Sequence, residues 1–384
     1  MLIFAVNKNK FRKLVFEIII GLFAVTFIIQ LYYYFGYFLK IATKKQVISS
    51  HIEKKQLPIS IIVAAHNEIE NLVNLIPLLL HQEYSKFEVI IVDDRSTDGT
   101  YDFLKEQTAK ISNLRFLKVN ETPEYMSPKK YAITLGIKAA ENEHMLFLDA
   151  DCMPASKNWI QQMAVGFDSD KQIVIGYSQY EKRKGFLNLF IRFETFLTGM
   201  LYLSSGLKNN AYMGVGRNLA YHKNVFFNNK GFHPFMKVLG GDDDLFINQV
   251  ATNKNTAVVT DYEGQTISFP KTNFNAWYRQ KKRHLSVGKY YNKKSKIFLG
   301  LFTCSSLLFL TFIPILTFHP LYWMIAAGTY VVRLLIQLTI SHFVAKKLND
   351  KIEYFLIPVL EIFYLFYIII IGLISYRAKR IRWS

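Results

Sequence analysis

Residues 59–94 read ISIIVAAHNEIENLVNLIPLLLHQEYSKFEVIIVDD. Two short β-branched runs, 59–65 and 87–92, flank a stretch, 68–81, with a helical apolar pattern. That arrangement predicts a strand, a helix and a second strand. Strands that are apolar throughout belong to a parallel sheet covered on both faces. Further along, 114–119 reads as a third strand, 129–141 as a helix and 145–148 as a fourth strand. The alternation predicts an α/β domain built on a doubly wound, mostly parallel, Rossmann-like sheet, with ligands beyond the carboxyl ends of its strands.

Three polar clusters fall at those ends: His66-Asn67-Glu68 after the first strand, Asp93-Asp94 after the second, and Asp149-Ala150-Asp151 after the fourth. Any one of them reads as a cap or a turn. Three at one sheet edge would repel one another unless a cation or a cationic ligand joined them. In extended backbone, residues two apart point to the same side, so Asp149 and Asp151 are expected to face one hard cation, Mg2+ or Mn2+, with Ala150 turned away. Cys152 beside them reads as a small buried filler.

The chain around this domain has 384 residues, 51% hydrophobic and 15% aromatic, and 47 Lys+Arg against 29 Asp+Glu give a net charge of +18. Mean hydropathy is +0.13. These figures exclude a disordered chain and point to a membrane protein with basic flanks. The two cysteines, Cys152 and Cys304, are too far apart in character and sequence to found a disulfide framework.

Residues 18–39 and 297–318 are uncharged runs long enough to span the hydrocarbon core. The first, within an anchor at 14–39, follows a basic start (Lys8, Lys10, Arg12, Lys13) and reads as retained, since no small-residue cleavage site follows it. Two further segments, 321–345 with Arg333 and 354–376 with Glu361, each carry a charge that lipid penalises. The expected organisation is an anchor, a catalytic domain at 57–285, and a membrane region at 297–376 with two or three spans. Residues 271–296 hold nine Lys/Arg and no acid, which by charge bias places the domain on the cytoplasmic face of the cell (inner) membrane, in contact with its lipids. Three spans would then leave the basic tail (Arg377, Lys379, Arg380, Arg382) outside, so the Arg333 stretch is expected to lie in the interface or to be re-entrant.

The motifs resemble those of the family 2 glycosyltransferases, whose fold is GT-A. IVAAHNE (62–68) is similar to that family's first strand and nucleotide-contacting loop, and VDDRSTDGT (92–100) to its second-strand motif. The resemblance implies that Ala65, His66, Asn67, Glu68, Asp93 and Asp94 bind the nucleotide of the donor. SPKKYAITLGI (127–137) resembles the lysine-bearing helix start, which places Lys129 and Lys130 near the diphosphate, and FLDAD (147–151) resembles the metal-binding DxD. Gly240-Gly241-Asp242-Asp243-Asp244 resembles the acidic motif that holds the general base. Its register leaves Asp242, favoured here, and Asp244 as alternatives, with Asp243 between them.

Gln280-Lys281-Lys282-Arg283-His284 is similar to the Q-x-x-R-W motif of cellulose, chitin and hyaluronan synthases and ceramide glucosyltransferase. Arg283 would meet diphosphate charge, and Gln280 would position donor or acceptor. His284 replaces the acceptor-stacking Trp, which counts against a processive track. Gly214 to Ala220 (GVGRNLA) resembles a strand near the acceptor. Between these motifs, Asn188, Arg192, Thr195, Gly199 and Tyr202 make one polar stripe along the apolar run 186–203. That stripe fits either an interfacial helix on the membrane or a helix buried in the domain core.

The resemblance implies an inverting, metal-dependent hexosyltransferase that moves sugar from a nucleotide sugar, UDP-linked in most relatives, to a lipid-linked or glycan acceptor. A processive polysaccharide synthase is the rival enzyme. A non-catalytic membrane scaffold with a basic lipid-binding surface is the rival of another class. The excess charge points to a sugar nucleotide and a lipid surface, with no nucleic acid partner.

Overall fold

The computed structural model describes residues 2–45 and 56–377. Of the basic tail, Lys379, Arg380 and Arg382 lie outside the described residues, as do the side chains of Lys8, Lys10 and Arg12. Among the described residues ten strands form: β1 Ile59–Ala65, β2 Phe87–Asp94, β3 Leu114–Val119, β4 His144–Asp149, β5 Cys152–Pro154, β6 Ile173–Gly176, β7 Ser178–Tyr180, β8 Leu219–His222, β9 Thr256–Val259 and β10 Thr266–Ser268. Seven make one sheet in the order β3-β2-β1-β4-β8-β6-β9, and β5-β10-β7 make a second. In the large sheet only β8 runs against its neighbours. The expected mostly parallel sheet is present.

The register fixes the functional edge. Ala65 pairs with Asp93, and Ala64 with Asp149, so the ends of β1, β2 and β4 stand side by side. The middle of each strand is apolar and buried, as in a sheet that helices cover on both faces. On one face, the helix Ile69–Leu80 buries Leu72, Leu75, Ile76 and Leu79. On the other, the helix Pro128–Ala139 begins with proline in its first turn and comes so close to β1 that a Cβ on Gly136 would stand 2.6 Å from Ile62. Only glycine fits that approach.

The hydrophobic core on this second face does not stop at the domain boundary. It runs from Ile62, Val92 and Phe147 through Phe196 and Met200 to Phe38, Phe302 and Val344 without a break. The large sheet is therefore packed onto the apolar helices rather than tethered to them. The bridge is the helix Phe186–Leu207, which buries sixteen of its 22 residues between the sheet and those helices. Most of the polar stripe meets protein, although the Thr195 hydroxyl and one Arg192 nitrogen are buried without a partner. Asn188 bonds the 181–183 backbone, Arg192 pairs with Glu353 at 3.0 Å, the Tyr202 hydroxyl donates to the Gly176 carbonyl, and Gly199 lies against Tyr177. The helix packs against protein for most of its length, as the buried reading of this run expects.

Among the described residues, five helices are long and apolar enough to cross a membrane: Lys13–Ala42, which includes a π-helical turn at Tyr34–Phe38, then Phe186–Leu207, Lys293–Leu316, Tyr322–Leu348 and Tyr354–Ser375. The charge that counted against the Arg333 segment is met inside the protein. Arg333 is 1% exposed and makes a two-pronged ion pair with Glu361, with further bonds to Gln337 at 3.0 Å and Gln30 at 3.1 Å. The reason for keeping that segment out of the bilayer thus disappears.

Candidate active site

Asp149 ends β4, but Ala150 and Asp151 form a turn before β5. The two acids converge because the chain reverses there, not through strand alternation as the sequence led us to expect. The ligand atoms of Asp149, Asp151 and Cys152 lie within 4.8 Å of one another. Burial pushes the Cys152 thiol well up, so it stays protonated, and it sits 3.0 Å from the Ser268 hydroxyl. Two half-buried carboxylates remain as donors. Hard oxygens in that number suit Mg2+ or Mn2+, which take one or two carboxylates and complete their shell with phosphate oxygens and water.

Lys129 lies across the cleft from this pair. It begins the helix Pro128–Ala139, and its ammonium is 2.7 Å from Asp149 and 3.2 Å from Asp242. Burial would lower its pKa, but Asp149, Asp242 and Asp243 outweigh burial and hold it above the ordinary lysine value. Lys130, one residue on, is fully buried and donates to the carbonyls of Val238 and Gly240. Burial pulls it down to about 8. Of the two lysines, only Lys129 is brought to the cleft; Lys130 clips down the loop that leads into the acidic motif.

That loop turns through Gly240 and Gly241, at φ +84° and +82°. Consecutive left-handed residues of this kind favour glycine. The three acids that follow have different surroundings. Asp244 accepts from the Leu245 N–H at 2.7 Å and from the Tyr291 hydroxyl at 2.8 Å, and burial with the neighbouring Asp243 charge raises its pKa to about 8. Asp243 accepts from the N–H groups of Gly216 and Asp244, both at 2.7 Å, and burial with the Asp242 charge raises it. Asp242 is 8% exposed; burial works against its charge, but Lys129 and Lys130 prevail and leave it below the usual carboxylate range.

The residues that follow β1 knit it to the loop after β2. His66 Nδ1 donates to the Asp94 carbonyl, the Asn67 N–H to Ser96 Oγ at 2.9 Å, and the Thr97 N–H to Asn67 Oδ1 at 2.7 Å. Asn67 takes φ +57°, which asparagine tolerates better than most residues. Glu68 accepts from Asn71, and burial, reinforced by Asp151 and Asp149, raises its pKa, which puts it beside the metal-type pair. Ala65 is buried at the end of β1. Asp94 holds Arg95 at 2.8 Å, whereas Asp93 is fully buried, with Oδ1 accepting from the Ser96 N–H and Oδ2 without a partner.

Gln280 and Arg283 lie half-buried on the helix Phe274–Val287. The Arg283 stem comes within 3.8 Å of a Cβ placed on Gly240, beside the acidic motif. Although solvent reaches His284, desolvation together with the charges of Arg283, Lys281, Arg217 and Lys129 holds the imidazole well below its usual pKa. Two residues at the site escaped the sequence reading. Lys271, counted there only as a flank cation, lies 3.7 Å from Asp151. Tyr291 holds Asp244. Neither has a local signal, because each reaches the site from a different part of the chain. Arg217, within the motif 214–220 read above, stacks 4.5 Å from the Tyr180 ring.

The Glycosyl transferase family 2 profile matches residues 60–228. Glycosyltransferase AglE of Haloferax volcanii is 29% identical over 27% of this chain and 33% of its own length. An Escherichia coli protein, UDP-Glc:alpha-D-GlcNAc-diphosphoundecaprenol beta-1,3-glucosyltransferase WfaP, is 29% identical over 34% of this chain and 48% of its own. The chain thus spans half or less of these relatives. The solved mannosyltransferase PcManGT of Pyrobaculum calidifontis superposes with a TM-score of 0.55 at 17% identity, covering 86% of this chain and 96% of that one, a likeness of fold. Matched motifs, sheet order and superposition agree: the chain carries a family 2 glycosyltransferase domain on a GT-A fold, packed among apolar helices.

Proposed function

We propose that the protein transfers a hexose, with inversion, from a nucleotide sugar to a hydroxyl of a lipid-linked or glycan acceptor at the cytoplasmic face of the cell membrane. The observation that carries this reading is the Lys129 bridge, 2.7 Å to Asp149 and 3.2 Å to Asp242, which joins the metal-type acids to the acidic motif in one cleft. A scaffold has no use for that convergence. In support, the Pyrobaculum structure is a complex with GDP-Man and Mn2+, and the E. coli relative is named for a diphosphoundecaprenol-linked acceptor.

Asp149 and Asp151 would hold Mg2+ or Mn2+, which when bound offsets negative charge on the departing diphosphate. Lys129 and Arg283 add fixed positive charge there. Asp93, with one buried oxygen lacking a partner, offers an acceptor to the base or ribose, and Asp94 shapes the loop through Arg95. Asp242 is the acid we assign as general base. The carboxylates of Asp243 and Asp244 are each engaged by two donors, whereas Asp242 faces the Lys129 ammonium, a charge that the diphosphate would share. The acceptor hydroxyl attacks opposite the diphosphate and gives its proton to the Asp242 carboxylate, so the anomeric configuration inverts.

The test is to purify the chain in detergent, screen UDP- and GDP-sugars with Mn2+ by thermal shift, and determine the product anomer by NMR. A stabilising nucleotide sugar and an inverted product are expected. A retained configuration sinks the single displacement, and a long polymer would favour the processive reading.

A further inference from the structure

The helix Phe274–Val287 presents Gln280 and Arg283, three residues apart and so on one face, near the acidic motif. Lys281 lies between them in sequence but turns elsewhere. Its ammonium donates to Glu194 of the helix Phe186–Leu207, and the two side chains are only 8% and 10% exposed. Aromatic rings close over the junction. Trp277 stands 5.7 Å from Phe190 and 5.5 Å from Tyr367, and Tyr367 stands 5.7 Å from Phe190. Three helices meet here: the one bearing Arg283, the buried bridge, and the C-terminal apolar helix Ile357–Arg377.

A buried ion pair is a poor source of net stability, because removing two charges from water offsets their attraction. What it supplies is direction. Leucines at 194 and 281 would hold the helices together while letting one slide or roll over the other. With Glu194 and Lys281, any roll strands two charges in apolar surroundings. The one rotation that satisfies Lys281 also sets where Gln280 and Arg283 stand.

We infer that Glu194 is a positioning residue which, by holding Lys281, orients the helix Phe274–Val287 so that Arg283 meets the second phosphate of the donor nucleotide. The inference rests on the functional reading above. It ties donor binding to the contact between the catalytic domain and the membrane helices, through a residue outside every matched motif.

The experiment uses the full chain in detergent with Mn2+ and compares affinity for UDP with affinity for UMP, or GDP with GMP if guanosine is the nucleotide bound. In Glu194→Gln, affinity for the diphosphate should fall about tenfold or more, the scale at which misplacement of a binding group is felt, while affinity for the monophosphate holds. The exchanged pair, Glu194→Lys with Lys281→Glu, should recover most of the diphosphate affinity. A folded Glu194→Gln protein that binds the diphosphate as the wild type does, or that loses both ligands alike, overturns the inference. If Glu194→Gln does not fold, the exchanged pair decides, and its failure to bind the diphosphate in a folded state overturns the inference as well. A wild type that binds neither UDP nor GDP with Mn2+ defeats the functional reading and this inference together, whereas wild-type binding with unaffected variants defeats this inference alone.

Discussion

Arg333 and Glu361, 28 residues apart in the chain, face each other inside the helical bundle and share two hydrogen bonds, one of them 2.9 Å. Each alone is a charge that lipid would expel; together they join the helices Tyr322–Leu348 and Ile357–Arg377. Gln30 extends the network to the first helix and, through Ser305 at 2.6 Å, to the helix Lys293–Leu316.

Breaking that pair from one side leaves a buried charge with no partner. Glu361→Ala or Arg333→Ala should therefore destabilise the chain by about 3–5 kcal/mol, whereas replacing both by leucine should cost far less. Melting of the detergent-solubilised protein, followed by size-exclusion fluorescence, measures the difference. A double variant as unstable as the singles would show that the pair is not what links the helices.

Asp151→Ala removes one of the two hard oxygens while leaving the fold around Cys152 in place. The Mn2+-dependent thermal shift with nucleotide should vanish, and turnover should drop by about 10²–10³-fold. Activity that survives both this change and EDTA would remove the metal from the reaction.

Asp242→Asn keeps the size and polarity of the side chain but cannot take a proton. Turnover should fall by about 10²–10⁴-fold with donor affinity retained, while Asp244→Asn should fall much less. The opposite order would move the base to Asp244.

Asp244 also carries a pH signature. Its folded pKa, about 8, is raised from 3.8 by burial and by Asp243. The folded state therefore holds this proton more tightly than the unfolded chain, and the contribution to stability present below the unfolded pKa is lost as pH rises through the folded one. The melting temperature of the wild type minus that of Asp244→Asn should decline from pH 5 to pH 8 and level off above. A constant difference would mean that the carboxyl is ionised throughout.

The sheet and its functional edge were legible in the sequence because they rest on local patterns. Short β-branched runs divided by one helical period specify β1 to β4, and a parallel register then brings Asp93 and Asp149 level with the end of β1 whatever the rest of the chain does. The motif order also marked Lys129 and Arg283, both on helices, and Asp242 in the turn before one. The sequence itself, before any coordinates, thus determined the α/β class, the acids at the strand ends and the presence of long apolar helices.

Tertiary structure decided everything that depends on which charges meet. Arg333 and Glu361 read as two penalties because nothing local says that they are partners. The run 186–203 was ambiguous because a polar stripe looks the same against water as against Glu353 and Gly176. Lys130 and Lys281 looked like their neighbours in basic stretches, yet one reaches from its helix to clip a loop and the other is held in an ion pair. The free energy of a charge depends on its solvent and its partner, and both are set by residues far away in the chain.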